Sequence, residues 1–392
     1  MSQKNILVAF GGASPEHEVS VLTALQAIAA LDNTYRPIPL YITKNGQWLT
    51  GEPLLKLENF QDIKKLEEQA VPCTLAFAEN GRAVLLETNT GFFSRPRTTP
   101  IYAVLNAFHG ADGENGSFQG ACEMFNLPST GPGVAGSAVG MDKRIAKDLC
   151  SARDIKVTNQ VWFNEQEWIE TTEFIKGNIK KLDFPVFVKP VHLGSSIGVA
   201  RADNIEIAED AIETAFRYDQ ELIIEEAVHP LMEVNCSVLG DETRARASVC
   251  EQPLGKEEIL SFEDKYMSGD DGGKGMASAE RRIPAPITDE LARHIQELSV
   301  KIFKLLKMSG VVRLDFLVNT DNHKVFFNEI NTIPGSFSFY LWDKSGVSFP
   351  DLLNEILAIA VKQNKLKNSR VRSYETNLLS TKSVKGIKGL KK

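Results

Sequence analysis

Two apolar runs near the C-terminal end, residues 311–318 (VVRLDFLV) and 324–331 (KVFFNEIN), constrain this chain more than any other feature. Both are β-branched or aromatic, and residues 319–323 between them carry turn-forming side chains, so the pair predicts a hairpin. Alternation along a strand places Arg313 and Asp315 on one face and Glu329 with Asn331 on one face. A turn centred near Asp321 and Asn322 leaves Asp315 opposite either Asn328 or Glu329. The Glu329 register gathers carboxylate and amide oxygens beside an arginine, a set that suits Mg²⁺ completed by a phosphate. The competing reading is a solvated polar face in which Arg313 and Asp315 form an ordinary surface pair.

At 392 residues the chain is long enough for two or three units with cores of their own. A hydrophobic content of 43% with 24% charged residues is that of a globular protein, and no apolar run is long enough to span a membrane. Residues 1–10 offer no signal-peptide pattern, so the cytoplasm is the expected compartment and no membrane partner is expected. The five cysteines are scattered without a Cys-x-x-Cys, which argues against a disulfide framework or a zinc site. Residues 362–392 hold ten Lys/Arg and one acidic residue. The net charge of −7 therefore hides a strongly acidic body, which argues against a nucleic-acid enzyme.

The first hundred residues alternate strand and helix: a buried strand at 6–10, a Gly11-Gly12 turn, a helix at 19–31, a strand at 36–42, then another at 101–108 after a long polar insertion. Such alternation predicts a doubly wound parallel sheet. A helix at 117–125 precedes a Pro/Gly-rich boundary at 127–134. The organisation expected is an N-terminal unit (1–126, insertion at about 45–100), a central unit (127–226), a third (227–366) and a basic tail (367–392).

Residues 187–198 (FVKPVHLGSSIG) give the second signal. A strand presents Lys189, and a Gly-Ser-Ser-x-Gly loop follows whose backbone amides and hydroxyls suit a phosphate. It lacks the Gly-Lys-Ser/Thr of a Walker A loop.

Taken with GGASPEHEVS (11–20), HGADGENGSFQG (109–120), GMDK (140–143), Lys265-Tyr266, Arg313-Leu-Asp315 and NEINTIPG (328–335), the chain resembles the D-alanine–D-alanine ligases of the ATP-grasp superfamily over roughly residues 5–360. The resemblance implies a mixed α/β and α+β architecture, an ATP-grasp fold behind an N-terminal doubly wound parallel-sheet domain. It implies an enzyme that uses ATP and two Mg²⁺ ions, with Mn²⁺ a substitute, to join two amino acids for peptidoglycan precursors. Lys143 and Lys189 would hold phosphates, with Gly194, Ser195 and Ser196 closing over them. Glu225 and Val228 would lie beside adenine and Glu233 at the ribose, although the 225–233 spacing is one residue longer than usual, leaving that register open by one. Asp315, Glu329 and Asn331 would bind the metal. Glu16 would take the first amino acid's ammonium, linked through Ser195 to Tyr266, with Lys265 and Tyr266 in a lid. His109 would lie near that substrate's carboxylate, or serve simply as a loop histidine. Arg313 and the Gly335 N–H would stabilise the oxyanion.

The match departs after Gly335, where residues 336–342 (SFSFYLW) run about four residues shorter than the family pattern. Ser336 and Ser338 are candidates to replace the lost hydroxyl, and Phe337, Phe339 and Tyr340 to reshape the acceptor pocket. Asn115 stands where Asp is usual. D-Ala is the expected acceptor; a D-hydroxy acid or another amino acid is the alternative, and a non-catalytic nucleotide-binding regulator the more distant one. The resemblance also allows a homodimer.

Overall fold

The computed structural model describes residues 3–88, 96–254 and 280–371. Lys265 and Tyr266, with the expected lid, lie outside the described residues, as does the basic tail beyond Val371.

Strands β1 (Lys4–Gly11), β2 (Tyr35–Ile42), β3 (Trp48–Thr50), β4 (Val71–Phe77), β5 (Ala83–Glu87), β6 (Thr98–Pro100) and β7 (Ala103–Asn106) form one sheet in the order β6-β5-β4-β3-β2-β1-β7. Only β2-β1-β7 is parallel. The insertion at 45–100 is no plain polar loop: β3 to β6 extend the sheet with antiparallel pairings. Cys73 and Leu75 turn inward along β4, but Pro72, Thr74 and Ala76 between and beside them give the segment no clear hydrophobic alternation in sequence.

The second sheet, β10-β9-β11-β8, is wholly antiparallel and comprises β8 (Gln160–Asn164), β9 (Val186–Pro190), β10 (Ala200–Ala202) and β11 (Glu221–Glu226). Helices Glu165–Ile179 and Ile205–Ala215 cover one face, burying Trp168, Ile175, Ile212 and Ala215 against Val186, Val188 and Leu222. The first helix begins with a reciprocal cap between Asn164 and Glu167.

The third sheet runs β14-β13-β12-β15-β16, from β12 (Leu231–Gly240), β13 (Ala245–Pro253), β14 (Arg281–Arg282), β15 (Gly310–Asn319) and β16 (Val325–Asn331). Its apolar face packs on helix Asp289–Leu305 through Ile295, Ile302 and Phe303. A core shared by the first and last parts of the chain joins Ile6, Val8 and Phe10 to Val311, Phe337, Trp342 and Leu352–357. That shared core fixes the first sheet against the end of the hairpin. Among the described residues no helix is long and apolar enough to cross a membrane.

Candidate active site

The hairpin forms in the Glu329 register. Arg313 faces Asn331 and Asp315 faces Glu329, and a bulge then pairs Phe316 with Phe327, leaving Asn328 as the extra residue. Cross-strand partners share a face, so Arg313, Asp315, Glu329 and Asn331 stand together. Arg313 donates from Nε to Asp315 Oδ1 and from Nη2 to Oδ2, each at 2.7 Å. Asn331 Nδ2 donates to the same Oδ2 at 3.1 Å, which leaves its own oxygen to other partners. Burial opposes the charge of Arg313, but Asp315 outweighs it and keeps the guanidinium firmly protonated.

This donor set fits Mg²⁺. Two carboxylates and one amide oxygen are hard ligands, too few for an all-protein cage and suited to an ion that shares its shell with phosphates and water. Among the described residues no group of three His, Cys, Asp or Glu forms such a cage.

The second sheet supplies cations opposite the hairpin. Lys189 on β9 donates to Glu225 Oε2 at 2.6 Å and to Asn328 Oδ1 at 3.2 Å, so the bulge residue, not singled out from sequence, joins the site. Lys143 donates to the Leu193 carbonyl and stands 3.4 Å from Glu329 Oε2. Asp142 caps the helix Lys143–Ser151 by accepting from Ile145 N–H at 2.7 Å, which fixes where Lys143 leaves the helix.

A cleft lies between the two sheets, lined by Phe187, Lys189, Val228, Leu231, Glu233 and Leu317 among others. Of the two adjacent acids it is Glu226 that lines it; Glu225 is buried beneath, bonded to both Lys147 and Lys189. Burial pushes the Glu225 carboxyl up, yet the two lysines outweigh burial and hold it far down, at about 2. Lys147 was missed in the sequence because a helical lysine four residues from Lys143 reads as a solvated charge.

A smaller cavity opens beside the first and shares Lys143, Leu193, Arg313 and Glu329 with it. Glu16, His109, Glu114, Gly194, Ser195, Asn331 and Gly335 complete its wall. Ser195 Oγ donates to Glu16 Oε1, so the expected Glu16–Ser195 link is present. The loop reaches that position through Ser195 and Ser196 at φ 53° and 59°. Gly110 is obligatory here, because at φ 71° a Cβ would stand 2.7 Å from Ser14 Oγ.

His109 is 4% exposed and faces Thr23 Oγ1 through Nε2 at 2.8 Å. Burial lowers its pKa to about 4, so the ring is neutral at pH 7. Glu114, quoted within its motif but given no role from sequence, accepts from Gly110 N–H at 2.7 Å. Its other oxygen accepts from Thr332 Oγ1 and Ile333 N–H, each at 2.9 Å. Burial raises the Glu114 pKa to about 7, helped by Glu16 nearby.

Beyond the cavity, Gly335–Ser338 forms a left-handed turn, with φ of 52°, 54° and 50° at Ser336, Phe337 and Ser338. Three L-residues in that conformation cost on the order of 3–6 kcal/mol. Burying Phe337 returns about 1.5–3 kcal/mol, so further contacts must hold the turn. Ser336 N–H donates to Thr23 Oγ1 at 3.0 Å, and Phe337 N–H to the Pro334 carbonyl at 2.8 Å. Ser336 and Ser338 are buried and line neither cavity. Phe337 joins the shared core and Phe339 stacks on Phe349. Tyr340 donates to Glu251 Oε1 at 3.2 Å, and Arg281, stacked on the tyrosine ring, donates to Glu251 Oε2 at 3.0 Å.

Two antiparallel sheets closing on a cleft, with Lys189 on one, Asp315 and Glu329 on the other and Lys143 at the start of a helix beside them, define an ATP-grasp architecture. The family model for the D-Ala–D-Ala ligase N-terminus matches residues 5–132, and that for the C-terminus matches residues 149–358. The chain belongs to the D-alanine–D-alanine ligase family. It is 35% identical over 379 residues to the D-alanine–D-alanine ligase of Thermosipho melanesiensis, covering 96% of this chain and 99% of that protein. The Bacillus velezensis enzyme of the same name is 34% identical, with 91% and 97% covered. Among solved structures, the Coxiella burnetii D-alanine–D-alanine ligase superposes with a TM-score of 0.78 at 27% identity, covering 94% of this chain and 97% of that one. The VanG D-Ala:D-Ser ligase of Enterococcus faecalis gives 0.76 at 30% identity, with 92% and 100% covered.

Proposed function

We propose that this chain joins two D-alanines with ATP, through a D-alanyl phosphate. The observation that carries the reading is Arg313, shared by the two cavities and flanked on its own face by Asp315, Glu329 and Asn331. A nucleotide fits the larger cleft, with the base on Phe187, Val228 and Leu231 and the phosphates toward Lys189 and Lys143. The smaller cavity suits a zwitterion, with Glu16 taking the ammonium and Arg313 the carboxylate.

An amine cannot displace oxide from a carboxylate, so the carboxylate first takes the γ-phosphoryl of ATP. Lys143, Lys189 and Arg313 offset the repulsion between carboxylate and triphosphate. Asp315, Glu329 and Asn331 would hold Mg²⁺, which supplies charge neutralisation on the phosphates when bound. The second D-alanine attacks as a neutral amine. A C–N bond forms, the C–O bond to phosphate breaks with its electron pair going to phosphate, and the amine sheds a proton to that leaving group. Arg313 and the Gly335 N–H stabilise the tetrahedral oxyanion. The reaction's dependence on ATP supports a cytoplasmic location.

The test is phosphate release from ATP and Mg²⁺ with D-Ala, with the product weighed by mass spectrometry. D-Ala-D-Ala is the expected product. Release that requires D-Ser, a D-hydroxy acid or another amino acid would reassign the acceptor, and none at all would remove the enzyme reading.

A further inference from the structure

The segment 331–338 carries a metal-face residue at its start and the oxyanion donor Gly335 near its middle, yet its backbone is fixed from outside. Residues of the first part of the chain hold it at three points. Glu114 takes Thr332 Oγ1 and Ile333 N–H, and Thr23 takes Ser336 N–H. Thr23 lies on helix His17–Ala30, which begins directly after Glu16.

A threonine inside a helix ordinarily bonds back to the carbonyl four residues earlier. Thr23 instead makes two bonds across the fold, to His109 and to Ser336, and is 1% exposed. A backbone N–H can only donate, so Thr23 Oγ1 accepts from Ser336. The remaining partner of that hydroxyl among the described residues is His109 Nε2. With the hydroxyl proton donated there, Nε2 is bare and the single N–H of the neutral imidazole sits on Nδ1.

The relay ends on the first residue of the left-handed run, the part of the turn that backbone preference opposes most. Gly335 is its immediate neighbour and lines the smaller cavity with Arg313. We propose that Thr23 is a positioning residue for the second half of the reaction: through His109 and Ser336 it holds the turn and aims the Gly335 N–H at the oxyanion formed when the acceptor amine attacks. The proposal rests on the acyl-phosphate reading above. It assigns Thr23 no contact with substrate. Its loss slows attack on the acyl phosphate while leaving ATP binding as it was.

The experiment compares wild type, Thr23→Val and Thr23→Ser with ATP, Mg²⁺ and D-Ala. Steady-state phosphate release gives kcat and the ATP KM. Scrambling of ¹⁸O between the bridging and non-bridging positions of labelled ATP reports formation and reversal of the acyl phosphate. Thr23→Val should lower kcat about tenfold or more with the ATP KM within about twofold, and the ratio of scrambling to turnover should rise. Thr23→Ser, which keeps the hydroxyl, should recover most of the rate. Scrambling and turnover falling together, an unchanged kcat, or a serine variant as slow as valine would each overturn the proposal. Wild type inert with D-Ala would instead overturn the reaction assignment on which it stands. A measurement on the unaltered chain covers the case in which Thr23→Val does not fold. The ¹⁵N shifts of His109 should show a protonated Nδ1 and a bare Nε2, and the opposite tautomer would overturn the relay.

Discussion

Arg313 grips Asp315 through two parallel hydrogen bonds of 2.7 Å, so the site's arginine is braced by a carboxylate on its own face of the hairpin. A carboxylate offers about four lone-pair positions, of which the guanidinium fork takes two. Asp315 can therefore orient Arg313 and still face a cation. The cost is that neither residue can be changed alone without disturbing the other.

Arg313→Lys tests that coupling. Lysine keeps the charge but cannot make the planar two-point contact, so it loses its aim at the developing oxyanion. The expected loss is on the order of 10²–10³ in kcat, the range for removing one oxyanion donor. Initial rates at saturating ATP and D-Ala check it; a loss under about fivefold would show that charge alone suffices.

Glu329→Gln addresses the metal face. The amide keeps the side chain's size and removes the charge that Asp315 and Glu329 share across the strand pair. Turnover should fall below about 1% of wild type, with a much higher Mg²⁺ requirement in whatever remains. Titrating Mg²⁺ or Mn²⁺ against activity gives the answer, and near-normal rates at ordinary Mg²⁺ would remove Glu329 from the ligand set.

Glu225 predicts a stability effect. Its carboxylate is buried between Lys147, itself 1% exposed, and Lys189. Glu225→Gln leaves a buried ammonium without its counter-ion, a class of change that costs roughly 3–5 kcal/mol. Urea unfolding should show a lower midpoint, and Lys147→Met in the same background should restore part of it. An unshifted midpoint for the single variant would show that Lys147 simply gives up its proton, which burial already favours.

The hairpin was legible because its two runs are long, β-branched and separated by clear turn residues. The alternation that put Arg313 with Asp315 and Glu329 with Asn331 is a local property, whereas the register that joins the two pairs on one face is set by the strand pairing. What was not legible depended on partners far along the chain. Asn328 enters the site only because a bulge gives it to Lys189, and a bulge leaves no mark in periodicity. Glu225 and Glu226 are adjacent acids, and only the pairing of β11 with β9 and β8 decides which one turns inward to the lysines. Thr23 looked like one more helix residue, since its partners are 86 and 313 positions away. The strands of the insertion were hidden by their brevity and mixed composition.

His192 supplies a pH dependence with a definite sign. It stands just before the Gly194–Gly198 phosphate loop, its N–H on Asp219 Oδ2 at 2.7 Å and its Nδ1 3.1 Å from the same carboxylate. Asp142, which caps the helix bearing Lys143, lies 3.7 Å from Nε2, an ion-pair rather than a hydrogen-bond distance. Asp142 and Asp219 together raise the ring's pKa from 6.5 to about 10. A raised pKa means the folded state holds the proton more tightly than the unfolded chain. The stabilisation is therefore fully present below about pH 6.5 and is lost as pH rises toward 10. Because the ring is 45% exposed, solvent screening cuts the effect to the order of 1 kcal/mol. Urea midpoints of wild type and His192→Gln should differ most at pH 6 and converge by pH 10. The ATP KM of wild type should rise over the same interval as the loop loses its anchor, while that of the variant stays flat. A difference between the two proteins that does not change with pH would show that the ring acts by packing, with its charge contributing nothing.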